Sequence, residues 1–159
     1  MSNMSYTYEQ KAEILLSCAK AYYQRGPMIQ YDQYSMDRLV RITPRNTRFA
    51  TPEMGTDQHM LFLDCSTFIY DVFYQTFGYQ LESNLTWHIP HMLKPCVYEY
   101  ILTGQETLEE KEAVIAQIRG ILKPGDVFNK VRHSGSGHVM LYAGDNMIYH
   151  STSNRFPDS

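Results

Sequence analysis

The hydrophobic period of this chain changes once, at Lys123-Pro124-Gly125-Asp126, and that change restricts the fold more than any other feature. Ahead of it, apolar residues recur at three- and four-residue intervals, which on an α-helix places them on one face. Behind it they fall in short runs bounded by Gly, Ser, Asn and Asp, the pattern of strands and turns. Helices that precede a run of strands predict an α+β layout, with helices packed on a small antiparallel sheet.

Three helical segments stand out. Over residues 8–24, Ile14, Leu15, Cys18, Ala19, Tyr22 and Tyr23 share helical spacing, and Gly26-Pro27 stops the run. Cys18 lies in that stripe and reads as a buried small hydrophobe. Over residues 64–78, Cys65, Phe68, Ile69, Val72, Phe73 and Thr76 fall on one face, and Gly78 ends the helix. Residues 106–122 form an amphipathic helix with Val114, Ile115, Ile118 and Ile121 along one side and an acidic first turn that suits the helix dipole. Strands are expected at Val127-Phe128, Val139–Tyr142 and Met147–Tyr149. Only three strands are visible, at the low end of independent stability, so the native chain is expected to continue beyond Ser159.

Residues 26–59 have no sustained period, and a loop of that length in a compact domain is usually functional. Groove wall and surface excursion, with a short helix near residues 36–41, explain it equally well. The stretch 84–103 is ambiguous, interrupted by Pro90 and Pro95. The 159 residues suit a single domain, 1–159, able to hold a core without disulfides. Cys18, Cys65 and Cys96 are too few and too scattered for a disulfide framework. A net charge of −3 with no long basic run argues against nucleic acid as a partner. No apolar run approaches the roughly 20 residues of a membrane-spanning helix, and the N-terminus lacks the layout of a secretory signal.

The chemistry concentrates in three places. Asp64-Cys65-Ser66 opens an apolar helix, where the dipole and free backbone N–H groups favour an anion. Those conditions are expected to lower the thiol pKa and to offer donors to an oxyanion. Helix capping by Asp64 or Ser66, with Cys65 filling space, accounts for the segment equally well. His138 begins an apolar strand after the glycine turn 134–137, and His150 ends the next strand. An odd-length hairpin loop such as 144–146 puts both imidazoles on one face as direct or diagonal neighbours, whereas a two-residue loop puts them on opposite faces. Thiol, histidine and a polar group that holds the histidine form a nucleophile–base–orienter set.

These segments resemble the NlpC family of papain-like cell-wall cysteine peptidases. Asp64-Cys65-Ser66 followed by Phe68-Ile69, the Pro124-Gly125-Asp126 turn, Gly137-His138-Val139 and His150 carry the likeness, which spans roughly residues 63–153. The resemblance implies a papain-like fold and hydrolysis of peptidoglycan stem peptides, usually between γ-linked D-glutamate and the diamino acid. It assigns Cys65 as nucleophile, His138 as base and later acid, and His150 as orienter, with no cofactor. Asp64 and Ser66 would read the peptide's free amino end.

Two departures are visible. Thr67 stands where the family commonly has glycine, which is expected to narrow the space beside the nucleophile. The Tyr-x-Trp-Gly-Gly stretch is absent, leaving Tyr31 and Tyr34 as candidates for the oxyanion-site tyrosine. The insert around 27–60 and the 87–95 segment imply a remodelled groove. Pro90, between His88 and His91, excludes a regular helix there, and Cys96, His133, His138 and His150 match no zinc spacing, so no metal is expected. Two other classes fit the same residues: a wall-peptide-binding module, and an amidase or acyltransferase with the same thiol machinery. The unsignalled N-terminus suits a phage-associated enzyme, an internal domain of an exported chain, or a peptide-recycling enzyme.

Overall fold

The computed structural model describes residues 5–26, 29–31, 61–82, 86–93, 98–130 and 137–152. Helix α1 is Tyr8–Gln24, with the expected bounds. Thr7 starts it by a capping box: its hydroxyl accepts from the Gln10 N–H at 3.2 Å, and Gln10 Oε1 accepts from the Thr7 N–H at 2.9 Å. Ala12, Leu15, Ala19 and Tyr22 form the buried stripe, with Cys18 half-buried beside it and Tyr23 exposed rather than inward as expected. Burial, reinforced by the Asp71 carboxylate, pushes the Cys18 thiol up to about 11.

Helix α2, Cys65–Phe77, ends at Gly78, whose φ of 64° is the left-handed cap that glycine adopts without strain. It was expected to bury one face, yet residues 65–72 are buried all round, with Thr67 and Asp71 at 0% exposure. The polar members of that run survive because each is hydrogen-bonded. Tyr22 of α1 donates its hydroxyl to the Asp71 carboxylate and sets its ring edge-on to Phe68 at 5.9 Å. α2 therefore lies between α1 and the sheet, and its first turn is held on every side.

Strands β3 (Val127–Lys130), β4 (His138–Gly144) and β5 (Met147–Tyr149) form an antiparallel sheet in that order. Val139 and Leu141 alternate inward from β4 and complete the core against Leu63, Phe68 and Ile69. The Pro124-Gly125-Asp126 turn ties this sheet to α1. Gly125 has φ +93°, and a Cβ there would lie 2.8 Å from that of Ala12. Tyr8 donates its hydroxyl to Asp126 Oδ1 at 2.7 Å, and the Gly125 N–H reaches the Tyr142 carbonyl at 2.8 Å.

Two strands add to the expected three. β1 (Ile29–Tyr31) and β2 (Leu61–Leu63) pair in parallel, with Tyr31 beside Leu63. Thr86–His88 forms a 3₁₀ turn that leads into α3, the single turn Ile89–Met92. Pro90 does not exclude that helix, because it sits in the first turn, where its missing N–H has no partner to lose. α4, Leu108–Ile121, starts at a Thr107–Glu110 capping box; none of its residues is buried, so the expected apolar side stays largely open. The expected helix near residues 36–41 lies outside the described residues. Among the described residues, no helix is long and apolar enough to cross a membrane.

Candidate active site

The site grows from the first turn of α2. Asp64 caps that turn through one oxygen: Oδ1 accepts from the Thr67 N–H at 2.8 Å, the Thr67 hydroxyl at 2.7 Å and the Ser66 hydroxyl at 3.1 Å. Thr67 Oγ1 in turn accepts from the Asp64 N–H at 2.8 Å, closing a reciprocal box. Thr67 was expected to crowd the nucleophile. Its side chain instead turns into the cap, a bond that a glycine at this position could not make. Asp64 and Ser66 are 6% and 4% exposed, so both stand inside the helix start.

Cys65 follows as the first helical residue, 7% exposed. Its thiol pKa moves up, opposite to the expected direction, because burial outweighs everything else. Donor groups on Val139, Thr86 and Ser66 pull the other way, towards the thiolate, while the Asp64 carboxylate adds to the rise. Burial at 7% exposure thus sets the direction, against the donors around the helix start.

Val139, whose backbone favours the Cys65 thiolate, is one residue along β4 from His138. On the other side, Ser151 donates its hydroxyl to the Leu63 carbonyl at 3.2 Å, tying the residue after His150 to the residue before Asp64. Val139 directly follows His138, and Ser151 directly follows His150. His138 Nε2 and His150 Nδ1 are 2.8 Å apart, and the rings meet edge to face at 5.1 Å. Burial lowers the His138 pKa, with the charges of His150 and Lys130 adding to it; Lys130 is its direct cross-strand partner. Loss of hydration also lowers His150, although that residue remains exposed overall. Both rings are therefore biased to the neutral form, the form in which one can accept a proton.

Tyr31 reaches the neighbourhood through the β1–β2 pairing, beside Leu63. Tyr34, Cys96 and His133 lie outside the described residues. Among the described residues, no three His, Cys, Asp or Glu side chains are grouped to hold a metal ion. Two residues absent from the expected set lie nearby: Thr86, whose hydroxyl favours the Cys65 thiolate, and Asn129, whose Nδ2 donates to the Thr86 carbonyl at 2.7 Å. Asn129 gave one signal in sequence, a polar amide within a short apolar strand; Thr86, in an aperiodic stretch, gave none.

A cysteine-headed helix packed across an antiparallel hairpin that carries histidine is the papain-like arrangement of an α+β protein. The profile of the NlpC/P60 family matches residues 52–156, and the chain belongs to that family. Membership points to cell-wall peptidase or hydrolase activity on peptidoglycan peptides. No curated protein and no solved structure matches the chain.

Proposed function

We propose that Cys65, His138 and His150 act as nucleophile, base and orienter of a cysteine endopeptidase that cleaves the γ-D-glutamyl–diamino acid bond of peptidoglycan stem peptides. The observation that carries this reading is the 2.8 Å contact between His138 Nε2 and His150 Nδ1, with Ser151 bonded to the Leu63 carbonyl just ahead of α2. When Nε2–H is donated to His150, Nδ1 of His138 is left as the free acceptor. Attack of the Cys65 sulfur on the peptide carbonyl transfers the thiol proton to that nitrogen. The amine leaves with the same proton and a thioester forms. Water, deprotonated by His138, then releases the acid and restores the thiol.

The Thr67 N–H is taken by the cap, so the first-turn N–H groups of Cys65 and Ser66 are the ones that suit the oxyanion of each tetrahedral intermediate. Tyr31, beside Leu63, is the described candidate for the tyrosine of that site. The amino-end subsite at Asp64 and Ser66 has less support, because Asp64 Oδ1 is already engaged three times by the cap.

The test is mass spectrometry of defined tripeptide and tetrapeptide muropeptides incubated with the wild-type protein and Cys65→Ala. Cleavage at the γ-D-glutamyl bond by the wild type alone is expected. Cleavage by Cys65→Ala at the wild-type rate would falsify the assignment. A product cut at the sugar–peptide amide, or one carrying a transferred acyl group, would identify an amidase or acyltransferase with the same thiol.

A further inference from the structure

We propose that Ser151 is a positioning residue for His150: its hydroxyl pins the chain beyond β5 to the Leu63 carbonyl, and that anchor sets the His150 ring against His138. The catalytic meaning rests on the thiol-hydrolase reading above, but the anchor and its test do not depend on turnover.

The antiparallel ladder stops one residue short of His150. Its last pair is Leu141 with Tyr149, where β5 itself ends. Among the described residues, the sheet therefore gives His150 no partner to fix its backbone, and its ring is held only if the chain just beyond it is held. Ser151 is that point. Its hydroxyl donates to the Leu63 carbonyl at 3.2 Å, across 88 residues of sequence. The acceptor is firmly seated: Leu63 is 1% exposed and closes β2 immediately before the Asp64 cap and Cys65. A carbonyl at so buried a residue needs a donor, and Ser151 supplies one.

Successive side chains of an extended chain point to opposite sides, and that alternation continues past the end of β5. Tyr149 packs against the core, and its ring lies 6.3 Å from that of Tyr23 on α1. Ser151, two residues on, reaches Leu63, a member of the same core. His150 lies between them and turns the other way, with its Nδ1 2.8 Å from His138 Nε2. The imidazole is thus bracketed by two residues that are each held from the core side. Because Leu63 leads directly into α2, the anchor refers the position of His150 to the helix that carries the nucleophile, and not to the sheet alone.

Without the hydroxyl, His150 is released toward water and away from His138. Each ring then loses part of what lowers its pKa: His150 its desolvation, and His138 the charge of His150, while Lys130 stays across the strand from His138. The experiment is an NMR titration of the two imidazoles in the full chain, assigned through His138→Gln and His150→Gln. Ser151→Ala is expected to move both midpoints upward by about half a pH unit. It should also lower kcat for muropeptide cleavage about three- to tenfold with KM little changed, the size of one neutral hydrogen bond. Ser151→Thr keeps the hydroxyl and is expected to follow the wild type. Alanine midpoints that superimpose on the wild type, threonine midpoints displaced as far as those of alanine, or a loss of cleavage seen only in KM overturn the proposal. Should Ser151→Ala not fold, Ser151→Val, with the shape of threonine and no donor, gives the reading: displaced midpoints support the anchor and unchanged ones overturn it. A wild type and variants that titrate as expected, with no muropeptide cleaved, remove the peptidase reading and leave this one standing.

Discussion

His138 and His150 meet at 2.8 Å because β4 carries one residue more than its partner strand. The turn between the strands is Asp145-Asn146, with φ of 50° and 60°, the two-residue type I′ geometry. Gly144 pairs with Met147 on either side of it. Counted back without interruption, that loop sets His150 opposite Leu141, on the face that packs into the core. The ladder instead resumes with Tyr142 opposite Ile148, leaving Ala143 as the extra residue of a bulge. His150 therefore falls opposite Met140, on the same face as His138 and diagonal to it. A two-residue loop alone was expected to separate the rings, and the bulge reverses that outcome.

This register yields a counterintuitive prediction. Deleting Ala143 removes the extra residue but leaves Tyr142 opposite Ile148 and His150 on the His138 face. The variant is expected to fold and to keep muropeptide cleavage within about tenfold of wild type, since the loss is confined to the bend that the bulge adds. Complete loss of cleavage in a folded deletion variant would show that the bend itself, rather than the register, aims His150.

If His150 orients His138, replacing it should lower turnover more than substrate binding. His150→Ala is expected to reduce kcat by on the order of a hundredfold or more with KM little changed, by analogy with loss of the third member of other triads. His150→Asn keeps a side-chain oxygen able to accept the Nε2–H and should retain more activity than alanine. Equal losses in both variants, or a loss confined to KM, would place His150 in substrate binding instead.

The pKa directions fix the pH dependence. Both histidines are lowered from their ordinary 6.5, so the neutral base persists below that pH, and the acid limb of kcat/KM is expected below 6.5. Stability follows the same linkage. The unfolded chain binds these protons at a higher pH than the folded one, so stability is full above about 6.5 and falls as the pH drops through the folded-state values. A His138→Gln/His150→Gln variant should lose less Tm between neutral and mildly acid pH than the wild type, measured by thermal melts. An equal loss in both would assign the acid sensitivity to other groups.

How far the sequence reveals this architecture depends on the range of the interaction concerned. The bounds of α1 and the Gly78 end of α2 could be read because period, caps and glycine act within a few residues. The strands β3 to β5 could be read from their bounding turns. β1 and β2 could not, because three residues carry no measurable period. The full burial of α2 was missed because Asp71 finds its partner in Tyr22 on another helix. The Cys65 thiol direction was missed for a related reason. Helix position is a local property that favours the thiolate, whereas the desolvation that prevails comes from burial, which the tertiary fold decides. Whether the two imidazoles share a face was left open in the sequence between two hairpin lengths, and the neighbours of the thiol, Thr86 and Val139, were not legible.

Thr67 offers the last prediction, because it departs from the glycine common at its place in the family. Its hydroxyl both accepts from the Asp64 N–H and donates to Asp64 Oδ1, and its side chain is fully buried. Thr67→Gly removes half of the capping box, worth about 1 kcal/mol, and adds a helical glycine, worth about another 1 kcal/mol. A loss of roughly 2–3 kcal/mol in denaturant unfolding is expected, the excess coming from the vacated volume. Because Asp64 Oδ1 keeps its bonds from the Thr67 N–H and the Ser66 hydroxyl, the helix start should hold its place. The pH profile of Cys65 alkylation should therefore move little. A stable Thr67→Gly variant with a displaced alkylation profile would mean that Thr67 tunes the thiol rather than the helix.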